Sequence, residues 1–96
     1  MRVVWDDAKN LANQRKHGVS FEQAAELFAS SSDYLEIFDE AHSESEDRFI
    51  AIGPIAQGLV LVVWTEMDDE TLRIISARWA DPREQALYHF YMDERR

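Results

Sequence analysis

The sequence predicts an α+β fold in which helices from both ends of the chain pack on one face of an antiparallel sheet of about four to five strands. Apolar residues recur at helical spacing near both termini, whereas runs rich in β-branched side chains fill the middle. Short connections between these runs favour antiparallel neighbours. A chain of 96 residues with 46% apolar and 30% charged side chains is typical of one globular domain, here residues 1–96.

The N-terminal part of the chain predicts a short edge strand followed by a helix. Residues 3–5 are apolar, and the carboxylates of Asp6 and Asp7 suit the amide end of a helix. The helix is predicted over residues 7–17, because Gly18 favours the left-handed turn that ends many helices. Its core-facing stripe is predicted to consist of Ala8, Leu11, Ala12 and Arg15.

The second helix is predicted from a capping box. Ser20 and Gln23 match the pattern Ser-x-x-Gln, in which each side chain bonds the backbone amide of the other residue. Apolar residues then follow at helical spacing up to Phe28. The polar stretch at residues 30–33 is predicted to end this helix.

Four strands, an acidic loop and a last helix are predicted in the remainder. The strands are residues 34–38, 48–55, 59–66 and 71–78, and the loop is residues 39–47. The last helix begins near Asp81, because Pro82 suits the first helical position and Glu84 completes a capping box. The predicted order is therefore β-α-α-β-β-β-β-α.

The last strand carries two arginines whose side chains need an anion. Strict alternation places Arg73 and Arg78 on opposite faces of the sheet, unless a bulge intervenes. Guanidinium groups rarely interrupt a buried sheet without a paired anion. An ion pair with Glu46 or Glu84 is the structural explanation, and a bound phosphate is the functional one.

The charge of the chain is unevenly distributed. The net charge is −9, and residues 31–70 carry eleven acidic side chains and one basic side chain. Such a chain repels nucleic acid as a whole and favours a basic partner. An anion site can still form if the basic residues outside the acidic segments converge, namely Arg15, Lys16, Arg48, Arg73 and Arg78. The alternative is that these charges are scattered over a solvated surface.

The sequence lacks the motifs of several classes of site. Without cysteine it has no disulfide, thiolate nucleophile or Cys-based zinc site. Its histidines, His17, His42 and His89, lack the spacing of a preorganised metal pair, so neither a metal nor another cofactor is predicted. No apolar stretch is long enough to cross a membrane and no secretory signal is visible, so we expect a cytoplasmic protein.

Three motifs resemble the BrnT family of type II toxins. They are Arg-Lys-His-Gly-Val-Ser-Phe-Glu at residues 15–22, Glu-x-Arg at 46–48 leading to Ile-Gly at 52–53, and Arg-Ile-Ile-Ser-Ala-Arg at 73–78. The resemblance implies a RelE-like α+β fold and a ribonuclease activity that blocks translation. It also implies a hetero-oligomer with BrnA, a small antitoxin with a ribbon-helix-helix region. The toxin would then contact DNA only indirectly, through this antitoxin.

Under this interpretation the chain is a metal-independent endoribonuclease in which the 2′-hydroxyl of RNA attacks the adjacent phosphate. Two fixed cations beside an imidazole can hold a phosphodiester and move a proton near neutral pH, although Lys16 and His17 also suit a helix C-terminus. The predicted catalytic residues are Lys16, His17, Arg73 and Arg78. RNA binding is assigned to Arg15 and Arg48, and Glu46 is expected to orient an arginine.

A second hypothesis is an attenuated or non-catalytic acidic module that holds a DNA-binding antitoxin. Many family members carry a basic residue soon after the Thr-Glu of the third strand and another at the position of Trp79. This chain has the acidic sequence Met-Asp-Asp-Glu at residues 67–70 instead. Fewer cations and a net charge of −9 both disfavour a grip on RNA.

Overall fold

A computed structural model describes residues 1–29 and 33–94. The helices and strands are β1 (Arg2–Val4), α1 (Asp7–His17), α2 (Phe21–Ala29), β2 (Leu35–Phe38), β3 (Phe49–Ile55), β4 (Gly58–Asp68), β5 (Thr71–Trp79) and α3 (Pro82–Glu94). A short 3-10 helix, Glu40–His42, lies within the predicted acidic loop. The predicted order is confirmed, and the serines expected to end α2, at 30–32, lie outside the described residues.

The five strands form one mixed sheet in the order β1-β5-β4-β3-β2. The strands from β2 to β5 pair antiparallel in sequence, as predicted. The edge strand β1 instead pairs parallel to β5, with Val3 opposite Leu72. A parallel pair requires a long crossover, and here most of the chain lies between the two strands. The prediction of a purely antiparallel sheet is therefore wrong for β1.

The helices cover both faces of the sheet, not one as predicted. Helices α1 and α2 pack on the first face, called here the α1/α2 face, where Phe21 and Leu27 are buried against Leu72 and Ile74. Helix α3 packs on the opposite face, called the α3 face. There Tyr88 packs against a smaller cluster that contains Ile52, Leu61 and Ala80.

The predicted helix caps form as expected. The side chain of Asp6 accepts the backbone N–H of Lys9 at 2.9 Å. Gly18 ends α1 in the left-handed conformation, with φ of 71°. The amide of Gln23 donates to Ser20 Oγ at 3.0 Å, and the amide of Ser20 donates to Gln23 Oε1 at 2.8 Å. The capping box therefore sets the start of α2.

Two asparagines, rather than the predicted apolar stripe, connect α1 to the rest of the molecule. Asn13 is buried, and its amide group bonds both backbone groups of Ala77 in β5, at 2.8 and 3.1 Å. Asn10 is also buried and accepts the amide of Phe21 at 2.8 Å. Leu11, predicted to face the core, is 56% exposed. Within the described residues, no helix is long and apolar enough to span a membrane.

Candidate active site

A β-bulge in β5 places Arg73 and Arg78 on the same face of the sheet. Across the β4–β5 pair, Trp64 opposes Ile74 and Val63 opposes Ser76, so Ile75 is an extra residue without a partner. Arg73 lies opposite Thr65, and Arg78 lies opposite Leu61. Since Leu61, Val63 and Thr65 alternate along one face of β4, both arginines project from the α3 face.

The α3 face carries an open cleft of about 350 Å³. Its floor is apolar and comes from β3 and β4, with Ile50, Leu61 and Val63. Its remaining lining comes from the loop before β3, from the bulged part of β5 and from the start of α3. These residues are Asp39, His42, Arg48, Ile75, Ser76, Arg78 and Glu84. The cleft therefore combines two guanidinium groups with an imidazole and two carboxylates.

Glu46 joins two of the predicted arginines. Arg73 Nη2 donates to both carboxylate oxygens of Glu46, at 3.0 and 2.9 Å. Arg48 Nη2 lies 3.6 Å from Oε1 of the same carboxylate. Arg48 Nε is buried and has no hydrogen-bond partner among the described residues. Glu46 thus holds Arg48 and Arg73 next to each other.

Arg78 is held by Glu84 in a bidentate ion pair. Its Nη1 and Nη2 atoms each donate to one carboxylate oxygen of Glu84 at 2.7 Å. Glu84 Oε1 also accepts the amide of Asp81, while Asp81 accepts the amide of Glu84, so the predicted capping box forms. The hydrogen bonds from Arg78 lower the pKa of Glu84, and the same bonds raise the pKa of Arg78. Both groups are therefore charged in the cleft.

The acidic loop before β3 is folded against the sheet. The amide of Asp39 donates to the carbonyl of Arg48 at 2.8 Å. Ser43 Oγ donates to the carbonyl of Asp39 at 2.5 Å and accepts the amide of Arg48 at 2.9 Å. These bonds bring His42 to the cleft, where its Nδ1 lies 3.0 Å from Asp39 Oδ2. Our sequence prediction missed His42, although its Asp-x-x-His spacing was a usable signal.

The predicted site residues fall into two groups. Glu46, Arg48, Arg73 and Arg78 meet at or beside the cleft on the α3 face. Arg15, Lys16 and His17 form the last turn of α1, on the α1/α2 face. Arg15 and Lys16 are exposed, and His17 is half-buried. Among the described residues, no hydrogen bond or ion pair connects this second group to the arginines of the first.

Within residues 1–29 and 33–94, no group of three or more His, Cys, Asp or Glu side chains is arranged to hold a metal. The polar lining of the cleft includes two guanidinium groups, a group that can bind phosphate oxygens in a bidentate manner.

Comparison with known proteins places these features in a family. The family model described as the ribonuclease toxin, BrnT, of type II toxin-antitoxin system matches residues 5–84. The chain belongs to the BrnT family. A 1.1 Å crystal structure of the Brucella abortus ribonuclease toxin, BrnT, is similar, with 29% sequence identity and a TM-score of 0.65. That similarity covers 84% of this chain and 97% of the Brucella chain. No curated protein matches significantly in sequence.

Membership of the BrnT family gives the chain a function class and a kind of partner. The family consists of ribonuclease toxins of type II toxin–antitoxin systems, and such a system includes an antitoxin. The matched region contains every residue that lines the cleft, from Asp39 to Glu84. Most of α3, from residue 85 onward, follows the matched region.

Proposed function

We propose that this BrnT-family chain is an endoribonuclease that cleaves RNA in the cleft of the α3 face without a metal ion. The observation that carries the proposal is the bulge at Ile75, because it brings Arg73 and Arg78 onto one face beside Arg48. Three guanidinium groups can bind a phosphodiester and stabilise the charge that develops on its oxygens. These groups supply the positive charge that a metal ion would otherwise provide.

In this reaction the 2′-hydroxyl of RNA attacks the adjacent phosphorus, and the bond to the 5′-oxygen breaks. The products are a 2′,3′-cyclic phosphate and a 5′-hydroxyl. Arg78 and Arg73 would stabilise the two non-bridging oxygens, which gain charge in the transition state. Arg48 would position the backbone, and Glu46 would keep Arg48 and Arg73 oriented.

The last turn of α1 is assigned a contact with RNA outside the cleft. Arg15 and Lys16 are exposed cations there, on the face of the sheet opposite the cleft. The predicted catalytic roles of Lys16 and His17 remain a separate prediction. Lys16→Ala and His17→Ala, assayed beside Arg78→Ala, test those roles directly.

We propose a BrnA-like antitoxin with a basic ribbon-helix-helix region as the partner. A chain with a net charge of −9 favours a basic partner and meets DNA only through that partner. The complex would form in the cytoplasm, where a translation inhibitor acts.

The alternative function, an acidic module that holds the antitoxin without cleaving RNA, is favoured by one observation. Carboxylates of the same chain already engage Arg73 and Arg78.

The deciding experiment is induced expression of the chain alone, followed by growth and the integrity of total RNA. The parent chain should arrest growth and cleave RNA, and Arg78→Ala should reduce the cleavage rate of the purified protein by about 10²-fold. Arg83→Ala is the matched control, because Arg83 is exposed at the start of α3 and does not line the cleft. Thermal unfolding of both variants checks that the fold is retained.

Two results would contradict the proposal. Normal growth and intact RNA, with soluble folded parent chain, would favour the non-catalytic module. Cleavage by the purified chain that disappears with a chelator and returns with a divalent cation would show that the reaction needs a metal ion.

A further inference from the structure

We propose that His42 is the proton-transfer residue of the cleft and that Asp39 is its positioning residue. The inference rests on the proposed function, since it assigns a role within the same cleft. His42 lines the cleft together with Arg48 and Arg78, and Asp39 lies directly behind it. The sequence alone favoured His17 for this role.

Asp39 sets the orientation of the His42 ring. The Nδ1 atom of His42 lies 3.0 and 3.1 Å from the two carboxylate oxygens of Asp39. A carboxylate can only accept, so Nδ1 carries a proton, and in the neutral ring Nε2 keeps its lone pair. The Asp39 side chain is 14% exposed, whereas that of His42 is 69% exposed. The ring is thus held from its protected side and open on the side that solvent and RNA can reach.

The backbone that carries this pair is fixed by the adjacent loop. Ser43 Oγ bonds the backbone of both Asp39 and Arg48, and the amide of Asp39 bonds the carbonyl of Arg48. His42 therefore sits at a defined position relative to the start of β3. A proton-transfer group needs such positioning because its efficiency depends on hydrogen-bond geometry.

The other charged groups that line the cleft are either already paired within the chain or unable to accept a proton. Glu84, from α3, already accepts hydrogen bonds from Arg78 and from the amide of Asp81. The carboxylate of Asp39 is already hydrogen-bonded to His42 itself. Arg48, from the loop before β3, and Arg78, from β5, remain protonated and cannot accept a proton. Imidazole is also the side chain that exchanges protons most readily between pH 5 and 8.

In the proposed step, His42 Nε2 takes the proton of the RNA 2′-hydroxyl as the 2′-oxygen forms its bond to phosphorus. The bond from phosphorus to the 5′-oxygen breaks, and the departing oxygen takes a proton from water in the open cleft. Asp39 stabilises the imidazolium that results. His42 then releases the proton to solvent and returns to its neutral form.

The test compares purified His42→Ala, Asp39→Asn and His17→Ala with the parent chain, using one RNA substrate from pH 5 to 9. His42→Ala should lower kcat by about 10²- to 10⁴-fold and remove the part of the pH dependence that falls near neutrality. Added imidazole should restore part of the activity to this variant alone. Asp39→Asn should lower kcat with a smaller effect on KM. The matched control is His89→Ala, because His89 is exposed on α3 and does not line the cleft.

The outcomes separate this inference from the proposed function. If His42→Ala cleaves RNA like the parent chain with the same pH profile while Arg78→Ala is inactive, the cleft is the active site and the role of His42 is wrong. The same holds if His17→Ala alone shows the loss and the rescue by imidazole. If the parent chain cleaves no RNA, both the proposed function and the role of His42 are overturned.

Discussion

At the scale of single residues, the candidate site consists of arginines that are already paired within the chain. Glu84 binds Arg78 through two hydrogen bonds of 2.7 Å, and Glu46 binds Arg73 through two of about the same length. These pairs hold the guanidinium groups in place. In the proposed function they also oppose RNA binding, because a phosphate must share or displace the carboxylates. The two acids therefore influence both the geometry and the affinity of the site.

The pairing of Glu84 with Arg78 predicts a pH-dependent contribution to stability. The hydrogen bonds from Arg78 lower the pKa of Glu84 below its ordinary value of 4.5, so folding favours the ionised carboxylate. The stabilisation is present above that ordinary value and is lost as the pH falls through the lower folded value. We expect Glu84→Gln to reduce the free energy of unfolding by up to about 1 kcal/mol at pH 7, since the pair is partly exposed.

Denaturant titrations of the parent chain and Glu84→Gln between pH 2 and 7 measure this difference. Glutamine also fits a capping box, so the start of α3 should be retained. Glu66→Gln, at an exposed carboxylate, is the control and should change stability little at any pH. A difference that stays constant down to pH 2 would show that the charge of Glu84 is not the cause.

At the scale of elements, most helix and strand boundaries follow from the sequence. The bulge at Ile75 in β5 does not, and it decides which face of the sheet carries both arginines. The observed bounds of α1, Asp7–His17, and of β5, Thr71–Trp79, agree with prediction to within a residue. Strict alternation nevertheless placed the two arginines of β5 on opposite faces. Ile74 and Ile75 are identical side chains, so composition could not show which one faces the core and which one is the bulge. Only the pairing with β4 settles it.

Helix α1 shows the second limit of prediction from pattern. Apolar periodicity identifies a buried face only when burial is driven by apolar contacts. Here the buried positions are Asn10 and Asn13, which bond the backbone of α2 and β5. Those backbone groups come from distant parts of the chain, so no local pattern could identify them. His42 is different, because its partner Asp39 lies only three residues away, whereas the cleft that it lines is completed by β3, β4, β5 and α3.

Gly53 in β3 lies close to α2 and to the segment before β2. A methyl group at this position would lie 2.7 Å from Leu27 Cδ1 and 2.7 Å from Tyr34 Cβ. The Leu27 side chain can rotate, whereas Tyr34 Cβ moves only with the backbone. We expect Gly53→Ala to reduce the free energy of unfolding by about 1–3 kcal/mol through overpacking. Denaturant titration measures this, and Gln57→Ala in the exposed β3–β4 turn is the control.

A neutral effect of Gly53→Ala would mean that α2 and the segment before β2 can shift apart at little cost. That result would argue that the packing against β3 is loose. The prediction thus tests how firmly the α1/α2 face supports the strand that leads from Arg48.

At the scale of the whole molecule, the cationic site belongs to a strongly acidic protein. The chain carries nineteen acidic and ten basic side chains, and acidic residues are concentrated at the β4–β5 turn and in the loop before β3. The long-range field therefore repels RNA, and only the short-range arrangement of arginines attracts it. The same field would attract the basic antitoxin that we propose as the partner. Charge thus favours capture of the partner over indiscriminate binding of RNA.

Neutralising the β4–β5 turn tests this balance. Glu66, Asp69 and Glu70 are exposed, and the variant Glu66→Gln/Asp69→Asn/Glu70→Gln removes three negative charges. Asp68 is retained, because it accepts the amide of Glu70 and shapes the turn. We expect the affinity for an RNA with 2′-O-methyl groups, which cannot be cleaved, to rise about threefold at low salt. The gain should vanish near 1 M salt, because the Debye length is then about 3 Å and the repulsion between the turn and the RNA phosphates is screened. Fluorescence anisotropy measures both affinities, and a gain that persists at high salt would show that the turn contacts RNA directly.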